Sequence, residues 1–110
     1  MNQTDADNLE IIAESIKEIL TTQTALAYPD ATRTIQLIRY TIGYGLRCDI
    51  EFEGKFMHFA NKHMTIFINI TSVFCRSQIL VYEDPNFIED LTQAIQGWLH
   101  IITQKDEKPQ

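Results

Sequence analysis

Residues 46–53 read "LRCDIEFE", and the fold turns on that octet. Leu46, Cys48, Ile50 and Phe52 alternate with Arg47, Asp49, Glu51 and Glu53. A period of two sends the first set to one side of a strand and the second to the other. That is the pattern of a sheet packed on one face only.

Reading on from the octet, Glu53 and Gly54 have the chemistry of a hairpin turn, with glycine supplying a positive φ. "KFMHFA" then returns as a second strand, and Asn61 with Lys62 makes a second turn. "HMTIFINI" follows as a third strand, and Thr71 and Ser72 lead into a fourth, "VFCRSQILVYE". With two-residue turns, Ile50 falls opposite Met57 and Cys48 opposite Phe59, while Phe59 falls opposite Met64 and Met57 opposite Ile66. Every one of these residues is apolar, so one face closes into a core. A slip by one residue would bury Asp49 and Glu51 instead.

Helices flank this meander. From about residue 5 to 22, Leu9, Ile12, Ala13, Ile16, Ile19 and Leu20 form one stripe at helical spacing, with Glu10, Glu14 and Glu18 opposite. Thr4 and Asp7 have the spacing of a capping box. From about residue 85 to 102, Phe87, Ile88, Leu91, Ala94, Ile95, Trp98, Leu99 and Ile102 form a broad apolar face. Asp84 is its expected cap and Pro85 its first residue. Gly97 inside that face is explained either by the close approach of another backbone or by chance. Residues 31–42 are ambiguous. Ala31, Ile35, Ile38 and Ile42 fit a helix between Asp30 and Gly43, whereas the β-branched content favours a strand; the spacing predicts a helix.

The expected architecture is therefore α+β: an antiparallel meander of three to four strands with the N- and C-terminal helices packed on one face. A chain of 110 residues makes one domain. Residues 103–110 are expected as a frayed polar tail.

The same register puts Arg47, Asp49, Glu51, Phe56, His58, Thr65, Phe67 and Asn69 on the second face. Phe74, Arg76, Leu80 and Tyr82 join them if the fourth strand runs unbroken. His58 falls opposite Asp49 and Thr65, a neighbour that raises an imidazole pKa, and His63 falls opposite Ala60. Asp49, His58 and His63 are too few for structural zinc and lack a metal-binding signature, so no metal is expected. No cofactor motif is present either. Glycines 43 and 45 do not make a phosphate loop, no nucleophile elbow exists, and Cys48 and Cys75 point inward as reduced thiols. The acids at Glu83, Asp84, Glu89 and Asp90 suit a helix start.

A net charge of −6 disfavours nucleic acid and anionic membranes and suits a basic protein partner. No apolar run reaches the ~20 residues that span a bilayer. The first ten residues, "MNQTDADNLE", lack the layout of a secretory leader, so the expected location is the cytosol. A second sheet face holding several large apolar residues marks either a partner surface or a face covered within the monomer by residues 31–42 or the chain end. The function expected is binding rather than catalysis, of an adaptor, chaperone, immunity or inhibitor type. It would act as a homodimer through Phe56, Phe67 and Tyr82, with Asp49, His58 and Arg76 beside them. The alternative is a ligand pocket or enzyme site joining His58 and Asp49 to Arg33, Arg39 and Arg47, the three arginines of the acid-free stretch 31–47.

Overall fold

The computed structural model describes residues 3–51 and 62–107. Its elements are α1 (Gln3–Ala27), β1 (Thr32–Tyr40), β2 (Gly43–Glu51), β3 (Lys62–Ile68), β4 (Ser72–Cys75), β5 (Gln78–Val81) and α2 (Phe87–Glu107). The strands form one antiparallel sheet of five, in chain order. Both helices lie on the same face, α1 over β2 and α2 over β4 and β5. The fold is the expected α+β meander between two helices, with more strands than the expected three to four.

The alternation in β2 holds. Leu46, Cys48 and Ile50 are buried, as are Met64, Ile66 and Ile68 on β3. The α1 stripe of Leu9, Ala13, Ile16 and Leu20 and the α2 stripe of Leu91, Ile95, Trp98 and Leu99 cover them. The neighbours of β2 differ from those expected. Cys48 lies between Ile35 and Met64, and Ile50 between Arg33 and Lys62. Both edges of β2 are thus filled where Phe59 and Met57 were expected. Phe52, Phe56, Met57, His58 and Phe59 lie outside the described residues, as does the turn expected at Glu53 and Gly54. Lys62, expected in a turn, is already in β3.

Two segments depart from the sequence reading. Residues 32–40 are a strand, not a helix, paired with β2 from Thr32 opposite Glu51 to Tyr40 opposite Gly43. A helix would have grouped Ile35 with Ile38. The strand instead turns Ile35 and Leu37 toward the core and Ile38 outward, and it satisfies one backbone edge of β2 along its whole length. The second departure is the expected fourth strand, which is a hairpin. Arg76, in the left-handed region at φ 58°, and Ser77 reverse the chain and set Gln78 opposite Cys75. That turn exchanges odd and even positions. Leu80 comes opposite Val73 in the core, and Tyr82 packs at the core's edge rather than beside Phe74. Ser72, expected in a turn, is in β4; the Asn69 N–H donates to its carbonyl at 2.9 Å and closes the β3–β4 turn.

The helix ends also differ, and α2 runs on to Glu107 where a tail was expected from residue 103. α1 already includes Gln3, so Thr4 does not cap it, and the Gln3 amide donates to Asp7 at 2.9 Å. It runs on to Ala27 because Thr24 extends the buried stripe one turn beyond Leu20. The Thr24 hydroxyl donates to the Leu20 carbonyl at 2.8 Å. Pro29 then stops the helix. α2 begins at Phe87, so Asp84 sits two residues farther from it than expected; it accepts the Asn86 N–H at 2.8 Å, and the Asn86 carbonyl takes the Asp90 N–H of α2 at 2.8 Å. Ile88, placed on the apolar face by its spacing, is 56% exposed. The Tyr28 hydroxyl ties the two helices together by donating to the Leu99 carbonyl at 3.1 Å.

Gly97 has no backbone against it. A Cβ placed there meets nothing within 4 Å, which removes the close-approach explanation. Gly97→Ala is therefore expected to stabilise the protein by about 1 kcal/mol through helix propensity and the stiffer unfolded chain. Thermal or urea unfolding checks this, with a midpoint above that of the wild type.

Candidate functional site

With both helices on one side, the other face of the sheet shows the residues that alternate with the core. Read across the strands, they divide by polarity. One transverse row is Ile38 on β1, Gly45 on β2, Phe67 on β3, Phe74 on β4 and Ile79 on β5, each directly opposite the next. This row crosses the sheet from edge to edge without a polar side chain. Tyr40, Val81 and the turn residue Ile42 extend it toward the β1–β2 turn. Its side chains stand in solvent: Phe67 is 44% exposed, Ile79 67% and Ile42 73%.

The glycines shape this half. The Tyr40 ring lies over Gly45, so that a Cβ there would come within 2.7 Å of Tyr40 Cε2, and it meets Phe67 at a tilted centroid distance of 6.2 Å. Gly43 is held against β3, where a Cβ would run into the backbone carbonyl of Ile68. A groove of about 300 Å³ opens over Gly43, walled by Tyr40, Ile42, Phe67 and Phe74 with Asn69 at its side.

The next rows toward the other end are polar: Gln36, Arg47 and Thr65, then Thr34, Asp49 and His63. Arg47 grips Asp49 with two prongs, Nε to Oδ2 at 3.0 Å and Nη2 to Oδ1 at 3.1 Å. This hydrogen bonding holds the Asp49 carboxyl below its usual pKa, with a smaller contribution from His63.

Of the residues the sequence singled out, Asp49 and Phe67 are on this face and Arg76 is exposed in the β4–β5 turn. Tyr82 is not on it. Its ring packs edge-on against Phe87 at 5.2 Å, its hydroxyl donates to the Asn69 carbonyl at 2.6 Å, and burial pushes its phenol up to about 12. Phe56 and His58 lie outside the described residues. His63 is opposite Asp49, not Ala60, and Thr65 is opposite Arg47, not His58. The three arginines do not converge: Arg33 and Arg39 lie on the helix side of β1, Arg47 on the other face. Arg33 donates to the Tyr28 and Ala31 carbonyls at 2.9 and 3.1 Å. Sequence reasoning missed Ile38, Tyr40, Ile42, Ile79 and Val81 as members of the face. The alternation in "TRTIQLIRY" carried the signal for the first two.

Among the described residues, no three His, Cys, Asp or Glu side chains gather into a metal site. Cys48 and Cys75 are unpaired and buried, which pushes each thiol up to about 11. No helix among the described residues is long and apolar enough to cross a membrane. No family model, curated protein or solved structure matches the chain.

The two glycines differ in what a methyl group would displace. Gly43→Ala drives a Cβ into backbone and is expected to cost about 2–3 kcal/mol, at the upper end for overpacking. Gly45→Ala meets only the tip of a movable ring and should cost about 1 kcal/mol or less. Urea unfolding of both variants checks the order.

Proposed function

We propose that the protein acts by binding, and that the apolar half of the open sheet face receives a second copy of the chain. The observation that supports this is the unbroken apolar row from Ile38 to Ile79. A sheet face left to solvent is ordinarily polar. Here seven apolar side chains of about 200 Å² each, exposed by half on average, present about 700 Å². That exceeds the largest patch of a typical monomer, about 300–600 Å². It approaches the roughly 800 Å² that each partner contributes to a standard interface. Phe67 lies at the centre of the row and serves as its anchor, since interface energy concentrates in central aromatic residues.

Catalysis has less support. The arginines split between faces, and the polar groups near Asp49 are spread along strands rather than converging in a cleft. A dimer joined through this face keeps its acidic helices outward, where a net charge of −6 suits a basic protein partner. The reading is thus an accessory protein of adaptor, chaperone, immunity or inhibitor type. Two buried, unpaired thiols fit a reducing cytosol.

Light scattering across a concentration series is the test. The wild type is expected to approach twice its chain mass in the micromolar range. Phe67→Glu should remain at the chain mass with its far-UV circular dichroism and melting curve intact. A wild type that stays monomeric at every concentration overturns the proposal.

A further inference from the structure

The two edges of the sheet are unequal. β5 closes one side with four residues, and β1 closes the other with nine. β1 pairs with β2 from Thr32 to Tyr40 without a bulge, and it contains no proline. Natural sheets shorten, bend, cover or charge an edge, because an open one is a template for another strand. β1 is long, regular and exposed or half-exposed at every position, and its charged residues are Arg33 and Arg39.

The two-residue turn of Thr41 and Ile42 makes Tyr40 and Gly43 a hydrogen-bonded pair, and such pairs recur at every second residue. Thr32, Thr34, Gln36, Ile38 and Tyr40 therefore direct their backbone groups to β2. Arg33, Ile35, Leu37 and Arg39 direct theirs off the sheet, four N–H and four C=O groups spaced for a sixth strand. Among the described residues, no hydrogen bond outside the ladder involves these backbone groups.

Charge decides what can lie there. Residues 31–47 hold three arginines and no acid in a chain of net charge −6. Arg47 is on the open face, paired with Asp49. Arg33 and Arg39 are on the helix side, opposite Ile50 and Tyr44, and among the described residues no carboxylate forms an ion pair with either. Between them on that side stand Ile35 and Leu37, packed against the edge of the core. A second β1 is a poor occupant. The antiparallel register that pairs the whole strand sets the arginine at each end against the arginine at the other, and like charges directly opposite repel. The same two arginines favour a strand of opposite charge.

We infer that the β1 edge accepts an extended acidic segment of another protein. Its alternate residues, acid, apolar, apolar, acid, lie opposite Arg39, Leu37, Ile35 and Arg33. Main-chain hydrogen bonds hold the segment, and the arginines choose it. These backbone groups lie in the plane of the sheet and the four side chains on its helix side, so the inference does not rest on the reading of the open face.

The probe is a fluorescent peptide of nine residues with blocked ends, matching β1 in length. It has threonine at odd positions and glutamate, valine, valine, glutamate at even ones. Anisotropy during titration with the protein is expected to show saturable binding in the micromolar range, about tenfold weaker when both glutamates are lysine. N-methylation of the two valines should abolish binding, because their N–H groups face β1, whereas N-methylation of the threonines between them should not. Arg39→Glu should keep the wild-type melting curve and bring the two peptides level, weakening the glutamate peptide and strengthening the lysine one. That gain is something a misfolded variant does not give. Equal binding of the two peptides by the wild type, indifference to methylation of the valines, or no saturation at millimolar peptide overturns the inference. Phe67→Glu is expected to bind the peptide as the wild type does, so loss of the face-to-face dimer and failure of this edge are told apart. Self-association that persists in Phe67→Glu and is competed away by the glutamate peptide places a second copy on the edge and also overturns the inference.

Discussion

Burial of Leu46, Cys48 and Ile50 beneath α1 is the constraint from which the open face follows. Side chains alternate along a strand, so once those three are inside, Gly45, Arg47 and Asp49 must be outside. Pairing carries the parity to both sides. Ile38 and Phe67 are placed opposite Gly45, and Gln36 and Thr65 opposite Arg47. A shift of one residue would exchange the sets and bury the Arg47–Asp49 ion pair. Removing that pair from water costs more than its attraction returns unless every remaining hydrogen bond is met. The core thus fixes the composition of the opposite face without touching it.

The split between the apolar and polar halves rests on the glycines. Gly43 allows the start of β2 to lie directly against the Ile68 carbonyl, and Gly45 leaves room for the Tyr40 ring. A side chain at Gly45 would lift the Tyr40 ring off the sheet. With glycine there, the Tyr40 ring covers the β2 backbone and carries the aromatic row across to Phe67. The same two positions therefore serve local sheet geometry and the relief of the surface, and the groove is a consequence of both.

Much of this was legible because long, regular signals are hard to counterfeit. The stripe of α1, the stripe of α2 apart from Ile88, and the alternation from Leu46 to Ile50 and along β3 hold in the structure, and with them the side on which Asp49 and Phe67 emerge. The losses came where one residue type served two patterns. In residues 31–42 the isoleucines at 35, 38 and 42 match a helical stripe. Leu37, which packs against the core, was the residue that the helix could not use. Reading that segment as a helix concealed Ile38 and Tyr40. The β4–β5 turn was hidden differently. Its left-handed residue is Arg76, with no glycine or asparagine to announce a reversal. One unseen turn then exchanged the faces of every residue beyond it, which put Tyr82 outside when it is against the core and left Ile79 and Val81 unnoticed.

The polar half of the face limits how two apolar halves can meet. Two flat hydrophobic surfaces can slide, because burial of apolar area has no direction. Sliding along the strands by two residues would carry the apolar row of one copy over Gln36, Arg47 and Thr65 of the other. Arg47 and Asp49 are hydrogen-bonded to each other and partly exposed. Covering them with phenylalanine would desolvate both charges and add no hydrogen bond. Sliding toward the turns instead would lift Phe67 out of contact and lose the central anchor. In the proposed dimer the ion pair would act as a stop in one direction and the loss of burial in the other, and together they would hold the two apolar rows level.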